Sequence, residues 1–157
     1  MSGGVEWALH CCVVLTGMTE PVPAARLAEF HDVSPTYLAK QLQALSRAGL
    51  VRSVQGQAGG YVLTRAATEI TVLDVVEAVD GREAAFTCTE IRQRGPFAAT
   101  PEACTTPCPV ARVMIEGDRA WRESLRATSI AELAGSVARN VGVDALPRAQ
   151  AWIAQRA

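Results

Sequence analysis

The sequence predicts a mainly α-helical protein with one small β-hairpin, arranged as a winged helix-turn-helix followed by a long dimerisation helix. Three features predict it: three helical segments precede two short β-like runs, a glycine-rich turn joins those runs, and a longer amphipathic helix lies near the C-terminus. The 157 residues are 49% hydrophobic. This length and composition suit one domain with a short assembly segment, and they exclude a disordered chain.

Each of the first three predicted helices has a recognisable boundary. The first covers Val5–Thr16 and ends before glycine and proline, and the second covers Ala24–Phe30. The third covers Pro35–Ala48, with Ser34 as N-cap and Gly49 where a left-handed C-terminal cap is required. Because the connection between the second and third helices is short, the pair matches a helix-turn-helix.

Two β-like runs, Leu50–Val54 and Gly60–Thr64, follow the third helix and form the predicted wing. Their connection, 55–60, is rich in glycine, but it links two strands and does not open a helix. A phosphate-binding loop is therefore not expected there. Thr71 caps a fourth predicted helix, Val72–Val79.

Residues 81–109 contain several prolines and glycines and no regular pattern, which in a compact protein usually indicates a functional loop. A helix from Val110 to about Ala127 then carries one apolar stripe, and pairing between two subunits is its natural use. Ser129 caps a further helix to Arg139, and the tail 142–157 has weaker helical signals.

Charge is distributed unevenly along a chain whose net charge is −1. Residues 1–33 have a net charge of −3 and residues 68–157 one of −2, whereas residues 34–67 have a net charge of +4 and contain no acidic residue. A basic block confined to the predicted reading helix and wing indicates a directed contact with DNA. The candidate DNA contacts are Ser34, Thr36, Tyr37, Lys40, Gln41, Arg47, Arg52, Gln55 and Gln57.

The five cysteines form two groups. Cys11 and Cys12 lie in the first apolar run and are expected in the core, whereas Cys88, Cys104 and Cys108 lie in or beside the irregular loop. An odd count and no recognisable leader argue against a disulfide framework, and the spacing is not that of a zinc knuckle. Metal ligation or redox chemistry is therefore the leading interpretation of the second group. Thiolates on an irregular loop can wrap an iron–sulfur cluster, and structural zinc is the less favoured metal.

An iron–sulfur cluster usually has four protein ligands, so the three loop cysteines leave one ligand to be found elsewhere. Glu6 and His10 lie one helical turn apart on the first helix, so a carboxylate and an imidazole project from the same face. The alternatives are a plain surface Glu–His pair and a half-buried histidine with its hydrogen bonds satisfied. Trp7, next to them, either shields such a centre or anchors the core. The candidate metal ligands are Cys88, Cys104, Cys108, Glu6 and His10.

Several classes of protein are not expected. The longest apolar stretch, 7–15, is too short to span a bilayer and lacks the features of a signal peptide, so a cytoplasmic protein without a membrane partner is predicted. No nucleophile–base pair and no pair of catalytic acids is apparent, so an enzyme is not expected. We predict three parts: the winged helix-turn-helix in 1–80, the cluster-binding loop in 81–109, and the dimerisation helix with a C-terminal helical segment in 110–157.

The chain resembles the bacterial winged-helix iron–sulfur regulators of the IscR/NsrR family over residues 3–127. The residues that carry the resemblance are Gly4–Leu9, Val33–Leu42, Leu45, Ala48–Val51, Gly56, Gly59–Tyr61, Ile70–Val76 and the three-cysteine loop. Within that family it is most similar to the RsrR-type redox sensors, in Glu6-Trp7, His10-Cys11-Cys12 and Cys88-Thr89-Glu90.

The resemblance implies a homodimeric transcription factor that acts as a repressor and whose iron–sulfur cluster controls its affinity for promoter DNA. Fifteen residues separate Cys88 from Cys104, unlike the short, even spacing typical of the family, which favours mixed ligation by loop cysteines with Glu6 and His10. A 2Fe–2S cluster at the dimer interface is then expected, with Trp7 as the switch residue. Two alternatives stay open: a nitric-oxide or cluster-status sensor with a 4Fe–4S cluster, and an iron–sulfur protein without a DNA role.

Overall fold

The computed structural model describes residues 1–56 and 59–155, and it forms two compact units, Met1–Arg82 with Leu125–Ala157, and Glu83–Ser124. Seven α-helices and one two-stranded hairpin lie within the described residues. They are α1 (Gly3–Leu15), α2 (Ala24–Phe30), α3 (Pro35–Arg47), β1 (Val51–Val54), β2 (Gly60–Leu63), α4 (Val72–Asp80), α5 (Pro109–Arg126), α6 (Ile130–Val141) and α7 (Ala145–Ala154). The predicted mainly helical class with a small hairpin is confirmed.

The core of the first unit is built around α1, which packs against α3, α4, α6 and α7. Cys11 and Cys12 are completely buried in it, as expected from their apolar neighbours. Burial raises the pKa of both thiols, that of Cys12 to about 12, so both stay protonated at neutral pH. These two cysteines therefore act as small core residues.

The hairpin is antiparallel, with register from Val51 opposite Leu63 to Val54 opposite Gly60. A bridge joins it to the segment before α2, where the amide of Val22 donates to the Tyr61 carbonyl (2.9 Å) and the Tyr61 amide donates back (2.8 Å). The backbones approach so closely here that a β-carbon on Gly60 would lie 2.6 Å from the nitrogen of Pro23. The wing is thus fixed directly to the start of the helix-turn-helix.

Three predicted helix boundaries are confirmed in detail. Gly49 ends α3 with φ of +72°, the left-handed conformation that glycine adopts without strain. The Thr71 hydroxyl accepts from the amide of Asp74, whose carboxylate accepts from the Thr71 amide. Ser129 and Glu132 form the same capping box at α6.

Other boundaries differ from expectation. Ser34 is the N-cap of α3 and Pro35 occupies the first helical position, as predicted, but the Ser34 side chain makes no capping hydrogen bond. Pro35 fixes the helical φ there. The irregular stretch contains two short 3-10 helices, Ile91–Gln93 and Pro101–Cys104. In the tail, α7 is a helix of 10 residues.

Helix α7 packs on the first unit near the ends of α1 and α2. Ile153 is only 2% exposed, and the amide of Gln150 donates to the carbonyl of Val14 (3.2 Å) and to that of Thr16. These carbonyls belong to the last turn of α1 and to its C-cap, where helical partners are missing. The C-terminal helix thus completes the hydrogen bonding of α1.

A buried arginine also ties α7 to α2. The Arg26 guanidinium stacks 3.9 Å from the Trp152 ring centroid, donates to the Trp152 carbonyl (2.9 Å) and pairs with Glu29. Because a buried charge is costly without partners, this arrangement requires α7 to be in place.

The second unit consists of the loop and most of α5. On α5, Arg122 donates to Asp118 (2.9 Å), one turn earlier, and to the Glu83 carbonyl (2.8 Å). Large apolar side chains stay exposed along this helix: Val110, Val113, Met114, Ile115 and Trp121. Among the described residues, no helix is both long and apolar enough to cross a bilayer.

Candidate DNA interface and metal-ligating residues

The outer face of α3 presents a row of polar side chains to solvent. Ser34, Thr36, Tyr37 and Lys40 are exposed near its start, and Arg47 is exposed at its end. No acidic residue occurs between 34 and 67, so this face carries only positive formal charge. Side chains with hydroxyl groups and side chains with positive charge can both reach phosphate oxygens and base edges in a major groove.

Gln41 does not belong to this face, so its predicted exposure is wrong. It is 6% exposed, and its amide lies against α1, where a β-carbon on Gly4 would come 2.6 Å from Gln41 Oε1. The reason is periodicity: Gln41 falls between Leu38 and Leu45 on the stripe that faces the core. Its polarity suggested exposure, but its position on the helix decided its burial.

Gln43 is a polar residue that the sequence prediction missed. It is exposed and lies three residues after Lys40 and seven after Thr36, which places all three on one helix face. The same periodicity that excludes Gln41 would have identified Gln43.

The wing contributes two exposed candidates, Arg52 on β1 and Gln55 just after it. Gln57, the third predicted wing contact, lies outside the described residues. The anchored hairpin presents Arg52 and Gln55 beyond the end of α3, as expected of a wing that reaches neighbouring backbone.

Glu6 and His10 are both exposed on α1 and line the same groove. The groove has a volume of about 470 Å³, and its other walls are mainly apolar side chains of α1 and α6. The predicted common face of the two residues is therefore present in the structure. A carboxylate and an imidazole at the edge of an apolar groove can serve as hard and borderline ligands to one metal centre.

The rings of Trp7 and His10 on α1 both contact His31, the C-cap of α2. Trp7 and His31 lie edge to face with 6.0 Å between ring centroids, and His10 and His31 are similarly arranged at 5.9 Å. Burial first, and then the charge of His10, lower the pKa of His31. Sequence spacing gave no signal for this contact, because His31 is 21 residues from His10 and belongs to another helix.

The loop cysteines differ in exposure. Cys88 is exposed, Cys104 and Cys108 are half-buried, and all three are free thiols. Cys108 precedes α5, and hydrogen bonds from the amides of Ala111 and Val110 lower the pKa of its thiol. Backbone donors at a helix N-terminus therefore favour the thiolate, the form in which cysteine binds metals.

No group of three or more His, Cys, Asp or Glu side chains is positioned to hold a metal ion within residues 1–56 and 59–155 of a single chain.

Residues 1–136 match the Rrf2 family, described as an iron-dependent transcriptional regulator. The chain belongs to the Rrf2 family. Because that match covers the helix-turn-helix, the wing, the loop and α5, it confirms the family resemblance and the winged-helix fold.

Individual relatives agree with this assignment. A Bacillus subtilis protein named as a putative HTH-type transcriptional regulator, YwgB, is 31% identical over 134 residues, which cover 83% of this chain and 81% of the relative. The HTH-type transcriptional regulator IscR of Klebsiella pneumoniae is 41% identical over 76 residues, about half the length of each protein (48% and 47%). The structure of CymR, the global cysteine regulator of B. subtilis, has a TM-score of 0.66 at 23% identity, covering 87% of this chain and 96% of that one, and so supports the fold alone.

This Rrf2 protein is thus a helix-turn-helix transcriptional regulator, and its relatives are regulators rather than enzymes, as expected. An iron–sulfur protein without a DNA role is not consistent with this membership.

Proposed function

We propose that this Rrf2 regulator is a cytoplasmic, homodimeric repressor whose affinity for promoter DNA depends on the redox state of a 2Fe–2S cluster at the dimer interface. The observation that carries the proposal is the pair of ring contacts that Trp7 and His10 make with His31. They link the candidate ligand helix to the end of α2, the first helix of the reading motif.

The proposed DNA contacts are the exposed polar and basic residues of α3 and the wing. In this arrangement α3 enters the major groove, where Lys40 neutralises a phosphate, and Arg52 and Gln55 reach the adjacent backbone. Gln41 is omitted, because it is buried, and Gln43 is added, because it is exposed on the same helix face.

The donor set suits an iron–sulfur cluster. Cys108 receives two backbone N–H groups that favour its thiolate, as sulfur ligands of such clusters require. Glu6 and His10 supply oxygen and nitrogen donors on one exposed face. Five candidates exceed four positions, and Cys108 is the cysteine we assign most firmly. When bound, a 2Fe–2S cluster supplies a one-electron change of charge.

Dimerisation is supported by α5. Its exposed valine, methionine, isoleucine and tryptophan side chains form an apolar surface of the kind that subunit interfaces bury. A two-fold dimer would also present two copies of α3 to a palindromic operator, one helical turn of DNA apart.

A change at the cluster would reach the DNA-binding helices through side chains of α1. A change in charge or position at Glu6 and His10 alters the packing of Trp7 and His10 against His31. Because His31 ends α2, that packing biases the orientation of α2 and α3 between two arrangements.

The deciding experiment is anaerobic purification followed by iron and sulfide assays, absorption and EPR spectroscopy, and promoter binding by the oxidised and reduced forms. We expect two iron and two sulfide ions per cluster and different affinities in the two states. A colourless, iron-free protein that binds its promoter normally would contradict the proposal. A cluster with four irons that responds to nitric oxide would instead support the sensing alternative.

Single substitutions identify the ligands. Cys88→Ser, Cys104→Ser and Cys108→Ser are compared with Cys11→Ser, since Cys11 is a core thiol. Loss of cluster only in the true ligand variants is expected, and a loop cysteine whose serine variant keeps the cluster is the spare one.

A further inference from the structure

One arginine bridges distant parts of the cysteine loop. Arg92 donates from Nε to Glu90 Oε1 (2.6 Å) and from Nη2 to Glu90 Oε2 (2.9 Å), and Nη2 also donates to the Thr106 carbonyl (3.0 Å). Bidentate pairing holds the guanidinium in one plane, so its contact with the carbonyl is directional. The result is a fixed connection across 14 residues of chain.

Both ends of this bridge lie beside cysteines. Glu90 follows Cys88 by two residues, and Thr106 lies midway between Cys104 and Cys108. The guanidinium therefore joins the segment that carries one loop cysteine to the segment that carries the other two.

The backbone around Arg92 supports the same connection. The Ala99 amide donates to the Arg92 carbonyl (2.8 Å), and the two 3-10 helices of the loop contact each other. Glu90 has φ of +51°, a left-handed conformation that costs energy for a residue other than glycine. Such a conformation persists where surrounding contacts hold it, and Glu90 is held by the ion pair with Arg92 and by the hydrogen bond that the Gln93 amide donates to its carbonyl (3.1 Å).

The charge of the guanidinium also acts on the thiols. The hydrogen bond with Glu90 raises the pKa of Arg92, and the charges of Cys104 and Cys108 raise it further. In return Arg92 contributes, after the backbone amides, to the lowered pKa of the Cys108 thiol. The Glu90 carboxylate opposes this effect of Arg92 on the Cys108 thiol.

We propose that Arg92 is a positioning residue of the cysteine loop, which holds the Cys88 segment and the Cys104–Cys108 segment together. The inference rests on the proposed function in so far as those sulfurs bind the cluster. A neighbouring cation stabilises the additional negative charge of a reduced centre, so Arg92 would raise the reduction potential.

The test compares Arg92→Gln and Arg92→Lys with the matched control Arg94→Gln, which removes a charge from an exposed side chain of the same loop. The cluster-free full chain is treated with iodoacetamide at neutral pH, and alkylation of each cysteine is followed by mass spectrometry. We expect Arg92→Gln to release the two segments from each other and so to speed alkylation of the half-buried Cys104 and Cys108 several-fold. Arg92→Lys should leave most of this increase, because an ammonium group cannot form the bidentate pair with Glu90, and the control should match the wild type.

The cluster-loaded protein provides the second readout. Arg92→Gln should lower the midpoint potential, Arg92→Lys should recover part of the shift, and Arg94→Gln should leave it nearly unchanged. Circular dichroism and promoter binding verify that each variant is folded.

The proposed function and the proposed role of Arg92 can be contradicted independently of each other. If the wild type binds no cluster, the proposed function fails, and the alkylation rates still decide the role of Arg92. Unchanged alkylation of Cys104 and Cys108 in Arg92→Gln would overturn the inference even in a protein that senses redox state.

Discussion

The indole of Trp7 meets the imidazole of His31 edge to face, with 6.0 Å between ring centroids and 69° between ring planes. Trp7 lies near the start of α1, one residue after Glu6, whereas His31 ends α2. The Nε2 atom of His31 is buried and finds no hydrogen-bond partner among the described residues. Packing between rings, rather than hydrogen bonding at Nε2, therefore connects the two helices here.

Replacing Trp7 by alanine should weaken the dependence of promoter binding on redox state. An aromatic pair contributes about 0.5–1.5 kcal/mol beyond the area it buries. The ratio of the oxidised and reduced dissociation constants should therefore fall by up to about tenfold. Fluorescence anisotropy with labelled promoter DNA measures this ratio, and Trp7→Phe, which keeps a ring, is the control. An unchanged ratio in Trp7→Ala would remove Trp7 from the switch.

Reversing the charge of Lys40 should weaken promoter binding and its dependence on salt. Lys40 is exposed on the outer face of α3, within the acid-free block. Loss of one phosphate contact lowers the slope of log K against log salt by about 0.9. Arg148→Glu is the matched control, because Arg148 is exposed on α7. Equal salt slopes for Lys40→Glu and the control would argue against α3 as the reading helix.

Replacing Gly60 and Gly135 by alanine should have opposite effects on the free energy of unfolding. At Gly60 a β-carbon would overlap the backbone of Val22 and Pro23, so Gly60→Ala should lower the free energy of unfolding by about 1–3 kcal/mol. At Gly135, within α6, the new methyl group would meet only Arg139 Nη1 at 3.4 Å. Gly135→Ala should therefore stabilise the protein by up to about 1 kcal/mol. Urea denaturation measures both, and a neutral Gly60→Ala would contradict the close approach of wing and helix-turn-helix.

The contact between Ser2 and Asp80 should make stability depend on acid pH. Desolvation raises the pKa of Asp80, but hydrogen bonds from the Ser2 hydroxyl and amide (2.5 and 2.7 Å) outweigh it, so the pKa of the folded state is lowered. A lowered pKa contributes stability above the pKa of the unfolded chain, and the contribution is lost as pH falls through the folded pKa.

Asp80→Asn should accordingly destabilise the protein at pH 7 by no more than about 1 kcal/mol, because the carboxylate is partly exposed. The difference from the wild type should disappear at a pH below the folded pKa of Asp80. Thermal unfolding at several pH values measures it, and a difference that persists in acid would show that the effect is not ionic.

Removing the Trp152 side chain should detach α7 from α2. Trp152 is half-buried and covers the guanidinium of Arg26, which would lose its stacking partner. We expect Trp152→Ala to lower the free energy of unfolding by on the order of 2 kcal/mol, less than for a fully buried tryptophan. Val143→Ala, at a site 75% exposed just before α7, should have little effect. A stable Trp152→Ala protein would show that α7 does not brace the first unit.

Local signals were sufficient for much of the fold. The bounds of α2 were predicted to the residue, and glycine and capping-box signals located the end of α3 and the starts of α4 and α6. These features depend on residues close together in sequence, for which backbone conformation and short-range hydrogen bonds decide the outcome. Ser34 shows the limit, because a suitable cap residue did not form its hydrogen bond.

For the candidate site, too, some features follow from local sequence and others only from tertiary packing. The sequence by itself determined the acid-free segment 34–67, the common face of Glu6 and His10 and the burial of Cys11 and Cys12, because charge, helical period and apolar neighbours are all local properties. Only the tertiary structure decided that Gln41 faces α1, that Trp7 and His10 meet His31, and that Arg92 joins the two cysteine segments. These contacts connect residues far apart in the chain, so they depend on how helices and loops pack, which no local pattern encodes.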